Sequence, residues 1–150
     1  YPLRRQRQMC IRDRFLALAE SFRHEKQTNG NEKAGVLAAT LDKATERLLN
    51  EGKSPSRKAG EIDNRGSHFF LATFWAEELA NQSDDADLAA AFKDVASQLS
   101  SQADEIAQAL VDAQGNPADL GGYYWPNDEK TSAVMRPVAK FNEIIDGLKK

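Results

Sequence analysis

A short basic segment, Lys53–Lys58, contains the side chains best suited to bind an anion. It reads Lys-Ser-Pro-Ser-Arg-Lys, and Gly60 follows it closely. This mixture of proline and glycine predicts a loop, because neither a continuing helix nor a central strand tolerates it well. The guanidinium of Arg57, held in such a loop beside two lysines, is suited to grip a phosphate. From the pattern alone, however, the commoner outcome is a solvated basic loop.

A second polar cluster, Asp63–His68, stands immediately before an apolar stretch. It could be a catalytic cluster, but a capping and hydrogen-bonded loop network is the favoured interpretation. Ser67 and His68 do not form a nucleophile pair, because adjacent side chains point apart and no acid is suitably placed. We therefore predict no catalytic residue in this chain.

Three consecutive aromatic residues, Tyr123-Tyr124-Trp125, follow two glycines and precede Pro126. They could stack on the ring of a ligand. Packing against the core is the more common role for such a run, so we expect them to be buried.

Metal-ligating patterns are weak. Asp84, Asp85 and Asp87 are more simply explained as residues that begin a helix than as metal ligands. Two histidines and one cysteine, Cys10, do not make a zinc site, and the glycine-rich phosphate fingerprints are absent. We predict no metal-binding residue here.

The composition is that of an ordinary globular domain. The 150 residues are 41% hydrophobic and 29% charged, with a net charge of −3, which gives no reason to expect a nucleic acid or an anionic membrane as a partner. No apolar run approaches the roughly 18 residues of a membrane span. The single cysteine rules out an internal disulfide framework and fits a reducing compartment.

Apolar residues recur at helical spacing through most of the chain, so the fold class is predicted to be mainly α. The most apolar helix should follow the basic segment and be the most buried. Asp119–Pro126 is predicted to be non-helical, and Pro137 should lie in the first turn of the last helix. The predicted helices are Phe15–Gln27, Glu32–Leu49, His68–Asn81, one around Leu88–Leu99, one from about Ser101 that could fuse with it, a short one ending at Met135, and a last one from Pro137.

The first fourteen residues, Tyr1–Arg14, do not match the rest of the chain. They contain five arginines and no helical stripe. A disordered basic tail and an RNA-binding arm are both compatible with this composition. We favour a third interpretation, that the segment resembles the translation of a sequencing-library transposon end. It is then expected to be non-native, poorly packed and without function, with the native polypeptide entering at about Phe15.

Six stretches of the sequence together carry a resemblance to a known family: Phe15–Ala19, Val36–Asp42, Lys53–Lys58, Ile62–Phe69, Gly121–Tyr124 and Met135–Pro137. Through them, residues 15–150 resemble the C-terminal end of the monomeric-type NADP-dependent isocitrate dehydrogenases. The chain departs from the family at three positions: Phe70 and Phe74 replace expected tyrosines, and Trp125 replaces a residue that is often histidine.

The resemblance implies oxidative decarboxylation of isocitrate to 2-oxoglutarate, with NADP and a Mg²⁺ or Mn²⁺ ion. It further implies a monomeric, cytoplasmic parent of two domains, in which residues 15–150 form the C-terminal helical part of the larger, cofactor-binding α/β domain, truncated at its N-terminal side. The family's substrate and metal ligands lie upstream. One family contact is retained: Arg57, which helps to hold the adenosine 2′-phosphate of NADP.

An alternative from a different class is a stand-alone helical module that presents the basic segment to an anionic partner. The two interpretations differ in the stability that they predict. A fragment should expose apolar surface and aggregate or bind a hydrophobic dye, whereas a module should unfold cooperatively as a monomer.

Overall fold

The computed structural model of the chain describes residues 2–148, with side chains from residue 13 onward. Over these residues the chain forms seven α-helices and no β-strand, which confirms the predicted helical class. Within the same part of the chain, no helix combines the length and hydropathy needed to cross a membrane. The helices are α1 (Pro2–Asn29), α2 (Glu32–Asn50), α3 (Asn64–Asn81), α4 (Ala86–Ser101), α5 (Ala103–Asp112), α6 (Asp128–Met135) and α7 (Ala139–Gly147).

Helix α1 extends beyond the predicted helix Phe15–Gln27 toward the amino terminus. Phe15 and Ala19 are buried in the core, as the apolar stripe predicts, but Leu18 is 41% exposed and lies outside it. The packing predicted for the first fourteen residues falls largely on side chains outside the described residues. Their foreign origin stays a prediction.

Polar side chains cap the first turn of several helices. Asn31 caps α2, Asp85 caps α4 and Asn127 caps α6, each by accepting a hydrogen bond from a backbone N–H of the first turn. Asp63 caps α3 in the same way. That helix therefore begins earlier than the predicted start at His68.

Helix α3 is the central element of the fold. It packs against α2, α4 and α5, and eight of its residues are buried, against seven in α2. On one side, Leu71 and Phe74 join a buried cluster with residues of α1 and α2. On the other, Phe69 and Ala76 join a cluster with residues of α4, α5 and α7. The prediction that this would be the most buried helix is confirmed.

Glu77 of α3 connects the helices on either side. Its carboxylate accepts hydrogen bonds from Arg47 of α2 and from the Ser100 hydroxyl of α4. The guanidinium of Arg47 also lies over the ring of Phe74, 4.2 Å from its centroid. These contacts complement the apolar packing of α2, α3 and α4.

The last helices follow the prediction except at Pro137. Of the two arrangements that the sequence allows, helices α4 and α5 adopt the separate one and share Gln102 as a cap residue. Val138 is the residue before α7, so Pro137 precedes that helix instead of occupying its first turn. Ile144 of α7 is buried against the α3–α4–α5 cluster.

Candidate functional site

The basic loop (residues 53–63) joins α2 to α3 and is hydrogen-bonded across its width. It leaves α2 through Gly52, whose φ of +68° lies in the left-handed region. The backbone N–H of Ser56 donates to the carbonyl of Ile62 at 2.7 Å, which joins the two arms of the loop. The loop is therefore constrained, as the sequence predicts.

The tip of the basic loop is held by the side chain of Gln114, which follows α5. The backbone N–H of Gly60 donates to Gln114 Oε1 at 3.0 Å, and Gln114 Nε2 donates to the carbonyl of Glu61 at 2.8 Å. Gly60 has a φ of +86°, a conformation that other residues rarely adopt. One amide side chain thus satisfies two backbone groups at the point where the loop turns.

Arg57 lies near that tip with an exposed side chain. Among residues 13–148, no group accepts a hydrogen bond from its guanidinium or forms an ion pair with it. Lys58 is also exposed. Lys53 instead places its Nζ 4.5 Å from the centroid of the Phe70 ring. Arg57 and Lys58 are therefore the two loop cations that are open to a ligand in this part of the chain.

Arg57 and Lys58 line a groove of about 480 Å³. Its walls come from four separate stretches of the sequence: the basic loop, the start of α3, the turn after α5, and the end of α6. The groove is lined by Ser56, Arg57, Lys58, Ala59, Asp63, Asn64, Arg65, Ala113, Gln114, Gly115, Asn116, Ala118, Val134 and Met135.

A capping network at the start of α3 forms one wall of the groove. Asp63 accepts from the backbone N–H of Gly66 at 2.9 Å and from Arg65 Nε at 2.8 Å. Arg65 Nη1 donates to the carbonyl of Val134, at the end of α6, at 2.8 Å. Both charged side chains are occupied in holding helices together, which confirms the structural interpretation of this cluster.

Ser67 and His68 do not form a catalytic pair in the structure. Ser67 is buried, with 2% of its surface exposed, whereas His68 is exposed. The Nδ1 of His68 lies 2.6 Å from the carbonyl oxygen of Asn64, so that nitrogen carries the proton and donates. The ring also meets Phe15 edge to face, at a centroid distance of 5.7 Å.

The aromatic turn (residues 119–127) contradicts the prediction that its aromatic side chains pack on the core. Tyr123, Tyr124 and Trp125 are 90%, 86% and 91% exposed. The backbone that carries them is a tight turn, because a Cβ on Gly122 would lie 2.8 Å from the Trp125 carbonyl oxygen. The described helices leave the three rings uncovered.

Comparison with known proteins assigns the chain to a family. Residues 12–146 match the family described as monomeric isocitrate dehydrogenase. The chain belongs to this family. It is 71% identical over 136 residues to an NADP isocitrate dehydrogenase of Corynebacterium efficiens, and 68% identical over 136 residues to that of Corynebacterium glutamicum. Over 134 residues it is 48% identical to NADP isocitrate dehydrogenase 2 of Mycobacterium tuberculosis.

The chain is much shorter than these members of the monomeric isocitrate dehydrogenase family. The matches cover 91%, 91% and 89% of this chain, but only 19%, 18% and 18% of the respective relatives. The chain therefore spans about a fifth of the length of the relatives that it matches.

No metal site is assembled in the described part of this family member. Between residues 13 and 148, no three His, Cys, Asp or Glu side chains come together in a group that could hold a metal ion. Asp85 caps α4, accepting from the backbone N–H of Leu88 at 2.9 Å, as expected of a residue that begins a helix. The location of the family's metal ligands outside this chain stays a prediction.

Sequence reasoning missed two residues that shape the groove. Gln114 was not recognised because a lone glutamine beside a helix end carries no pattern. Arg65 was recognised only as a member of a polar cluster, since its partner Val134 is 69 residues away. The only sequence signal for the contact between Arg65 and Val134 was the position of Arg65 just after the capping residue Asp63.

Proposed function

We propose that this chain is a segment of an NADP-dependent isocitrate dehydrogenase, and that Arg57 binds the 2′-phosphate of NADP. The observation that carries the proposal is an exposed guanidinium without a partner in the described part of the chain, on a hydrogen-bonded loop at the edge of a groove. A surface arginine fixed in this way remains available for a ligand. The relatives from both Corynebacterium species and from Mycobacterium tuberculosis are named for NADP.

The physical basis is charge-assisted hydrogen bonding. A 2′-phosphate carries nearly two negative charges and several acceptor oxygens, which a planar guanidinium can bind through two N–H groups. Such an interaction contributes about 1.5–3 kcal/mol. NAD has a hydroxyl at that position and gains no comparable attraction. Lys58, on the same loop and the same groove, adds a second positive charge.

The other groups along the groove do not compete for this role. Arg65 is committed to Asp63 and to the carbonyl of Val134. The Asp63 carboxylate already occupies the first turn of α3, where an anion could otherwise bind. The attraction for a phosphate therefore comes from the basic loop and not from the end of the helix.

The activity of the whole enzyme follows from the family as a further part of the proposal. The complete polypeptide would oxidise and decarboxylate isocitrate to 2-oxoglutarate, with Mg²⁺ or Mn²⁺ bound by residues outside this segment. This chain contributes no catalytic residue. It would form the C-terminal helical part of the larger α/β domain of a monomeric, cytoplasmic enzyme, and would be inactive alone.

The experiment uses a complete enzyme that carries this segment. It is made by replacing the matching segment of the Corynebacterium efficiens relative with the segment described here. Arg57→Ala should raise the Kd for NADP by roughly 10- to 100-fold and leave the Kd for NAD nearly unchanged. Lys93→Ala, which removes an exposed positive charge from α4, is the matched control and should change neither. Equal losses for both cofactors would contradict the role of Arg57.

The alternative, a stand-alone module, agrees less well with the exposed aromatic residues. A soluble domain rarely presents so much contiguous aromatic surface to water. Thermal unfolding of the isolated chain separates the two: a sharp monomeric transition without binding of a hydrophobic dye would favour the module.

A further inference from the structure

The aromatic turn presents a fixed apolar surface to solvent. Tyr123, Tyr124 and Trp125 are between 86% and 91% exposed. The two tyrosine rings meet edge to face at a centroid distance of 5.0 Å, so they support each other without reaching the core. Since an aromatic side chain buries about 150–250 Å², the three together offer on the order of 500 Å².

The turn that carries these rings is held by its own hydrogen bonds. The backbone N–H of Asn127 donates to the carbonyl of Leu120 at 2.7 Å, which closes the turn. Asp119 accepts from the backbone N–H of Gly121 at 2.9 Å and forms an ion pair with Lys130 of α6. The aromatic side chains are therefore displayed by a defined backbone.

The aromatic turn is flanked in the sequence by residues that line the groove, which limits the kind of partner that can cover it. Ala118, immediately before the turn, and Met135, at the end of the helix after it, both line the groove. Met135 is itself 56% exposed. The stretch that precedes the turn and the helix that follows it therefore both contribute a residue to the groove with Arg57.

The relatives supply the occupant, because four-fifths of their length lies outside the matched segment. We propose that the aromatic turn is the surface by which this segment docks onto the remainder of the family's polypeptide, which then forms the opposite wall of the Arg57 groove. This inference rests on the proposed function, since it needs the segment to be part of a longer enzyme. The patch matches in scale the contribution of one partner to an interface between domains of a single chain, about 600–1,500 Å² in total.

The first test compares one substitution in two settings. The triple variant Tyr123→Ser, Tyr124→Ser, Trp125→Ser is made in the isolated chain and in the complete enzyme that carries this segment. Because the rings are in water in the isolated chain, its Tm should stay within about 1 °C, whereas that of the complete enzyme should fall by about 5 °C or more. The matched conservative variant Trp125→Phe should keep most of the stability. An equal change in both settings, or none in either, would overturn the docking role.

The second test remains informative even if the triple variant fails to fold. A photo-crosslinking phenylalanine analogue replaces Tyr124 in the complete enzyme, and the crosslinked peptides are identified by mass spectrometry. Crosslinks within one molecule to peptides outside the segment are expected. Crosslinks only between two molecules would show a dimer contact and overturn the proposal.

The outcomes also separate this inference from the proposed function. If the rings stack on a dinucleotide instead, the triple variant should lose NADP and NAD affinity at an unchanged Tm, which would refute docking and leave Arg57 untouched. If Arg57 has no role in NADP binding, Arg57→Ala will leave cofactor affinity unchanged while the crosslinks persist.

Discussion

Gln114 holds Gly60 at the turn of the basic loop, with the Gly60 N–H 3.0 Å from Gln114 Oε1. The same side chain donates to the next carbonyl, of Glu61, at 2.8 Å. The loop that carries Arg57 is thereby attached to the end of α5, and α5 packs on the central helix α3. The position of the Arg57 guanidinium thus depends in part on a contact made from outside the basic loop.

Removing the Gln114 contact should increase the mobility of the basic loop and leave the helical fold intact. Gln114→Ala deletes two hydrogen bonds, each worth about 0.5–1.5 kcal/mol. We expect amide exchange at Gly60 to rise at least several-fold, measured by hydrogen exchange of this chain. In the complete enzyme, NADP affinity should fall by a smaller factor than for Arg57→Ala. Unchanged exchange at Gly60 would show that the loop is held by other contacts.

Replacing Arg57 with lysine tests geometry separately from charge. Lysine keeps the positive charge but cannot offer two coplanar N–H groups to a phosphate. We expect Arg57→Lys to recover only part of the NADP affinity lost in Arg57→Ala, measured by cofactor titration of the complete enzyme at two salt concentrations. Full recovery would indicate a simple charge effect, and the preference would then weaken strongly with added salt.

The packing of the core predicts very different losses of stability when a leucine is replaced by alanine at two positions. Leu48 is fully buried between α1, α2 and α3, whereas Leu18 is 41% exposed on α1. Leu48→Ala should lower the free energy of unfolding by about 2–5 kcal/mol, and Leu18→Ala by less than about 1 kcal/mol. Urea denaturation of the two variants measures the difference. Similar values would contradict the assigned packing.

The cap of α3 supports both the helix and one wall of the groove. Asp63→Ala removes the bond to the Gly66 N–H and the partner of Arg65. We expect a loss of about 1–2 kcal/mol of unfolding free energy. Asp84→Ala provides a matched control, because Asp84 is exposed and precedes the capping residue of α4, and it should cost less than about 0.5 kcal/mol. The comparison is made by chemical denaturation.

The aromatic turn should become sensitive to acid through Asp119. The hydrogen bond from Lys130, and then that from the Gly121 N–H, lower the pKa of Asp119 below its ordinary value. A lowered pKa in the folded state means that the contribution of this carboxylate is complete above the unfolded pKa of about 3.9 and is lost as the pH falls through the folded pKa.

A carboxyl NMR titration of the chain should therefore place the Asp119 midpoint below that of an unperturbed aspartate. Lys130→Ala removes the larger cause and should move the midpoint upward. An unmoved midpoint in that variant would show that the ion pair is not formed in solution.

Local sequence signals predicted most of the helices, because caps and apolar spacing act within a few residues. Asn31, Asp85 and Asn127 each begin a helix at a position that the sequence marks. Pro55 and Gly60 likewise indicate a loop. What these signals could not show is which groups meet across the fold, such as Gly60 with Gln114.

For the aromatic turn, the sequence predicted the wrong environment of the side chains. The composition of Tyr123–Trp125 predicts burial, since large aromatic side chains dominate protein cores. Burial also requires that the backbone bring the rings onto the helices, and the three rings are instead 86–91% exposed. Composition identified an apolar surface, but the structure was needed to show that this segment does not cover it.

The contacts of Gly60 and Arg65 span 54 and 69 residues of sequence. During synthesis, the basic loop leaves the ribosome well before Gln114 and Val134 exist. Until then Gly60 lacks its contact with Gln114, Arg65 lacks its contact with Val134, and the cationic side chains have no groove to line. Cofactor recognition at this place would thus be among the last properties that the growing polypeptide acquires, and a chain that stops short of α6 would keep the arginine but lack the site.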